Sequence, residues 1–184
     1  MRSKIVGWLY KLWKVFLVFF LAQFVYIFLL KWIDPPVTAT QFVSWVKGNG
    51  LKRDYVSLDE MSPSIRLAVM ASEDQLFPDH NGFDVKSIKL ALKEKNKYRK
   101  QMRGASTISQ QTAKNVFLWQ SRSWLRKGLE VYFTFMIELT WGKKRILEMY
   151  LNVSEMGNGI FGIEAASQNY FHKLQKSYRG QRPP

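Results

Sequence analysis

The chain has 184 residues, enough for a membrane anchor and one domain but too few for two large domains. Hydrophobic residues at 47% support a packed core, and 28 Lys and Arg against 14 Asp and Glu call for an anionic partner. The absence of Cys excludes disulfides, a thiolate nucleophile and cysteine zinc sites, and two His argue against a multi-histidine metal site.

Residues 15–33 are predicted to cross a membrane behind a basic tail at 1–14. From Val15 to Leu30 the sequence reads VFLVFFLAQFVYIFLL, apolar on every face except at Gln23. Sixteen helical residues reach roughly 24 Å, and Leu12, Trp13, Trp32 and Ile33 extend this toward a hydrocarbon core of ~30 Å. A buried core helix and a cleaved signal peptide are the competing readings. Apolarity all round argues against the first, and Lys-Trp-Ile-Asp-Pro-Pro in place of a small-residue cleavage site argues against the second. Arg2, Lys4, Lys11 and Lys14 precede the span, so the positive-inside rule sets the N-terminus in the cytoplasm. Asp34-Pro35-Pro36 is expected to stop the helix and open a linker and juxtamembrane segment over 34–50. Beside a membrane, the positive charge suits lipid head groups or a lipid-borne phosphate, and a nucleic-acid partner is not expected.

Beyond residue 50 the pattern predicts a mainly α domain without a convincing strand. Ser62-Pro63 is a helix-start signal before IRLAVMASED, and Val85 to Lys95 reads as an amphipathic helix. The basic stretch 93–104 reads as a loop, and Ser106 or Thr107 can cap a helix through QQTAKNVFL. Residues 124–139 place Leu125, Leu129, Tyr132, Phe133, Met136 and Ile137 at helical spacing, and 143–151 form another helix. Gly157 to Gly162 is a glycine-rich turn before a last helix over 163–171.

Three clusters could carry chemistry. Glu73 ends a predicted helix, and a carboxylate at the negative end of a helix dipole retains a proton more readily, which suits general-base work. The bland reading is a solvated surface Glu. GASTISQQTAKN (104–115) opens a helix whose amide groups and Gln110, Gln111 and Lys114 can converge on a phosphate or sugar; the alternative is an ordinary capped helix. Arg126, Lys127 and Glu130 share a helix face, where exposed pairs contribute only ~0.3–0.5 kcal/mol. KRILEMYLN (144–152) reads as core architecture.

Together EDQLFPDHNGFD (73–84), GASTISQQTAKN, RKGLE (126–130), KRILEMYLN and GNGIFGIEAASQNYF (157–171) resemble the monofunctional biosynthetic peptidoglycan glycosyltransferases, relatives of the transferase domain of bifunctional penicillin-binding proteins. The resemblance covers roughly residues 50–173 and implies a lysozyme-like helical domain over 51–173. It implies that lipid II is polymerised into glycan strands at the outer face of the bacterial inner membrane, with inversion at C1 and loss of undecaprenyl pyrophosphate. Glu73 takes the place of the catalytic base and Glu130 that of the second essential carboxylate. Asp74, Phe77, His80, Ser106, Gln110, Gln111, Lys114, Arg126 and Lys127 take the places of substrate-binding residues. No cofactor is required by this chemistry, although a divalent cation, Mg or Mn, is compatible with the pyrophosphate. Cell-division or cell-wall synthesis proteins are candidate partners. The loop at 93–104 is a candidate lid.

The likeness stops at Lys173. Residues 174–184 (LQKSYRGQRPP) can be encoded by the same bases that, one base out of frame, encode AKKLSRAEAA, a segment typical of the family. A frameshifted tail and missing C-terminal helices are therefore expected. Two other readings compete with the transferase: a membrane-tethered glycan- or divisome-binding module without activity, and a lysozyme-like hydrolase using two carboxylates.

Overall fold

The computed structural model describes residues 2–85, 89 and 106–172. Helix α1 runs unbroken from Arg2 to Leu29, through the basic tail and into the apolar stretch. Its apolar part, Val6–Leu29, has 24 residues, about 36 Å of helix and longer than the hydrocarbon core requires. Trp8, Leu9, Tyr10 and Trp13 continue the apolar surface past Lys11 and Lys14, and the Lys14 ammonium lies 4.6 Å from the Tyr10 ring centre.

The helix ends at Leu29, ahead of Asp34-Pro35-Pro36; amides of the following turn take the carbonyls of Tyr26, Phe28 and Leu29, and the domain takes that of Ile27 and holds the turn itself. Trp141 Nε1 donates to Ile27 O at 2.7 Å, while Arg145 donates to Leu30 O and Ile33 O, both at 3.0 Å, and pairs with Asp34 at 2.9 Å. Ile27 and Leu30 are buried in the main core. Gln23, the polar exception in the span, exchanges hydrogen bonds with the Tyr132 hydroxyl.

Helix α2, Ala39–Val46, lies inside the segment expected as linker. Thr38 and Gln41 form a capping box that holds it, and Gln41 is itself fixed by Tyr55 and Arg53. Its outer face exposes Phe42, Trp45 and Val46.

Helix α3, Pro63–Glu73, starts where Ser62-Pro63 predicts. Helices α4 (Ile108–Phe117), α5 (Trp124–Thr140) and α6 (Lys143–Val153) form the centre, with α4 packed against both others. Ile108, Ile137, Ile146, Met149 and Leu151 are completely buried there.

The expected α5 stripe holds from Tyr132 onward: Met136 and Ile137 are buried, and Tyr132 and Phe133 pack against the core half-buried, whereas Leu125 is 70% exposed. The inward positions of the first turns belong to Glu130 and Thr134, while Trp124, Val131, Phe135 and Leu139 form an exposed apolar ridge.

A small sheet closes the far side in the order β1 (Lys52–Arg53), β3 (Ile160–Phe161), β2 (Glu155–Gly157). β1 is parallel to β3, with Lys52 opposite Ile160, and β2 is antiparallel to it. Strands of two or three residues are too short to leave an alternating pattern, so the sequence gives no sign of them. Gly162, at φ +83°, passes the chain into α7 (Ile163–Phe171); a Cβ there would meet Asn152 O at 2.6 Å. The helix expected over 85–95, the loop at 93–104 and the tail at 174–184 lie outside the described residues, apart from Val85 and Lys89.

Candidate active site

Two adjacent acids at the end of α3 face opposite ways. Glu73 is exposed, while Asp74 is buried and leaves the helix in an extended conformation. The Asp74 carboxylate accepts from Ile108 N at 3.0 Å, satisfying a free amide in the first turn of α4, and from His80 Nε2 at 3.0 Å. His80 Nδ1 accepts the Gly82 amide at 3.1 Å, which leaves Nε2 to donate to Asp74. Gly82 in turn accepts Thr107 Oγ1 at 2.7 Å, and at φ +84° its Cα lies so close to α5 that a Cβ would sit 2.8 Å from Thr134 Cγ2. This chain of contacts locks the end of α3 to the start of α4.

That lock sets Glu73 beside α4. Gln111 Nε2 donates to Glu73 Oε2 at 2.9 Å, and Lys114 follows one turn along the same face. Thr107 caps α4 and forms the capping box with Gln110.

At the other end of this face lies Glu130, only 3% exposed. Arg126 Nη1 donates to it at 2.5 Å, and Lys127 Nζ pairs with its other oxygen. Burial lowers the Lys114 pKa; the Glu130 charge opposes that fall, and Arg126 and Lys127 add to it. Three cations thus surround one buried carboxylate and leave an excess of positive charge. Arg126 Nε is buried and has no hydrogen-bond partner among the described residues, an open donor within the cationic cluster.

The residues named from the sequence fall into two groups. Glu73, Gln111, Lys114, Arg126, Lys127 and Glu130 form one continuous face, with Ser106 joined to it through its carbonyl, which accepts from Gln111 at 3.4 Å. Asp74, Phe77, His80 and Gln110 lie in the packing beneath: Phe77 is 2% exposed, and the polar side chains are engaged as described. The physical reason is that anchoring the α3–α4 junction needs buried polar partners of its own.

Tyr150, which reads as architecture in the sequence, adjoins the site. It is buried, and burial together with the nearby Glu73 charge pushes its phenol up to about 12. Only the spatial approach of α6 to the end of α3 brings it there, and its spacing along the chain carries no sign of that. Among the described residues no group of three His, Asp or Glu is placed to hold a metal ion.

The family model described as Transglycosylase matches residues 39–179, which include every one of these side chains. The chain belongs to the transglycosylase family. A biosynthetic peptidoglycan transglycosylase of Haemophilus influenzae is 49% identical over 178 residues, covering 92% of this chain and 74% of the relative. One from Bdellovibrio bacteriovorus is 49% identical over 170 residues, covering 89% and 68%. One from Shigella boydii reaches 57% identity over 136 residues, covering 72% of this chain and 56% of that protein. The mainly helical fold and the single long apolar N-terminal helix, consistent with single-pass anchoring, agree with the reading from sequence.

Proposed function

We propose that this transglycosylase polymerises lipid II into peptidoglycan strands, with Glu73 as general base. The Glu73 carboxylate takes the proton of the 4-hydroxyl of an acceptor GlcNAc as that oxygen attacks C1 of the donor MurNAc. The C1–O bond to the pyrophosphate breaks with inversion, and undecaprenyl pyrophosphate leaves with the bonding electron pair. Negative charge grows on the leaving group, so the cluster of Lys114, Arg126 and Lys127 supports the reading by offering charge stabilisation on the face that carries Glu73. The observation that carries it is the buried Arg126 Nε in that cluster, which has no partner among the described residues. Glu130 holds the cations in place and keeps their mutual repulsion tolerable. Gln111 orients Glu73, and Ser106 lines the same face. A divalent cation would arrive with the diphosphate, and titration with EDTA tests whether turnover needs it.

The membrane reading is supported by the long apolar α1 and the basic residues at its start. The N-terminus is cytoplasmic and the domain periplasmic, with the exposed apolar groups on α2 and α5 turned toward the lipid. The full chain in detergent, given fluorescent lipid II, is expected to yield glycan strands resolved by gel electrophoresis. Soluble muropeptides released from preformed glycan would make it a hydrolase instead. Lipid II binding without polymer would make it a binding module.

A further inference from the structure

A cavity of about 430 Å³ opens between the first turns of α3 and α6 and under the 3-10 turn Leu58–Glu60. Its walls are mostly apolar, built from Leu58, Leu67, Met70, Phe77 and Leu147. The rim carries Arg66, Lys143 and Lys144 against one carboxylate, Asp59. Lys143 is engaged by Glu138 at 2.7 Å and lies over the Phe77 ring, whereas Arg66 and Lys144 have no ion pair among the described residues. The α6 N-terminus beside them has Gly142 as its cap residue and no side-chain cap, so its first amides add to the positive field.

Arg145 is next in sequence to Lys144. It holds the carbonyls of Leu30 and Ile33 and the Asp34 carboxylate, where the chain leaves its apolar helix. Lys144 of the rim is thus one residue from the side chain that holds the exit of α1, the level at which a membrane-spanning α1 would meet the head groups.

We propose that this pocket binds one anionic phospholipid, an acyl chain entering the apolar cavity and the phosphate meeting Arg66, Lys144 and the α6 N-terminus. The size suits a small-ligand site, and the pairing of apolar walls with unpaired cations excludes neither half of such a lipid. The pocket is separate from the Arg126 cluster, since none of the residues that form that cluster lines it. The proposal rests on the anchoring reading above.

The test is native mass spectrometry of the full chain released from non-ionic detergent with phosphatidylglycerol, phosphatidylcholine or undecaprenyl phosphate. One phosphatidylglycerol is expected to be retained roughly tenfold over phosphatidylcholine. Arg66→Glu with Lys144→Glu should abolish that preference, and Leu67→Trp, at a position 63% exposed, should cut retention of the lipid by filling the pocket. Equal retention of the two phospholipids, or retention unchanged in both variants, would overturn the proposal; tighter binding of undecaprenyl phosphate would reassign the pocket to a polyprenyl lipid. Flotation of the full chain with phosphatidylcholine vesicles tests anchoring separately, because it does not require the pocket.

Discussion

The same substitution should cost stability at one of the two glutamates and not at the other. Glu130→Gln removes a buried negative charge and leaves Arg126, Lys127 and Lys114 facing one another. Breaking a buried ion pair from one side costs about 3–5 kcal/mol. Lys127, whose side chain is 41% exposed, can turn to water, whereas Arg126 at 13% cannot. The glutamine also keeps the side-chain volume and one acceptor. The expected destabilisation is therefore about 2–3 kcal/mol, a fall in melting temperature of roughly 5–10 °C for a domain of this size. Glu73→Gln changes an exposed side chain that accepts one hydrogen bond, and no resolvable change in melting temperature is expected. Thermal unfolding of both variants in the same detergent and buffer, followed by circular dichroism at 222 nm, makes the comparison. Equal melting temperatures for the two variants would refute the reasoning that Glu130 neutralises a buried cationic cluster.

Asp74→Asn should cost about 1–3 kcal/mol, because an amide nitrogen would face either the Ile108 amide or His80 Nε2, each a donor. Turnover should fall as well, as α4 loses its register against Glu73; urea unfolding and a polymerisation assay check both. Tyr150 gives a pH signature. Its folded-state pKa, about 12 against an ordinary 10.0, means that the unfolded chain loses this proton first as pH rises. Stability from this group is intact below pH 10 and drains between pH 10 and 12 by about 2 kcal/mol, so Tyr150→Phe should lose less stability than wild type between pH 9 and 11.5. Urea midpoints at those two pH values measure the difference.

Local signals in the sequence carried much of the architecture. Ser62-Pro63 marks the start of α3, Thr107 with Gln110 marks that of α4, and a single apolar run marks α1. What stayed hidden depended on distant partners. The exit of α1 is held by Trp141 and Arg145, more than a hundred residues away, which donate to the carbonyls of Ile27, Leu30 and Ile33. Leu125 sits on an apolar stripe but points outward, since Arg126 and Glu130 take the inner side of the first turns of α5. The α2 helix was obscured by the Pro-rich stretch before it. In the candidate site, the motifs of the resemblance single out Glu73, Lys114, Arg126, Lys127 and Glu130 in the sequence, but not that Glu73 is exposed and Asp74 buried. Adjacent residues at a helix end can face water and core respectively, and only the contacts to Ile108 and His80 reveal which is which.

The most direct measurement is lipid II turnover by the full chain and its Glu73→Gln variant, alongside lipid II binding by each. The variant should fold and bind as wild type does while kcat falls by roughly 10²–10⁴, the contribution of a general base. Polymerisation by Glu73→Gln at the wild-type rate would contradict the account.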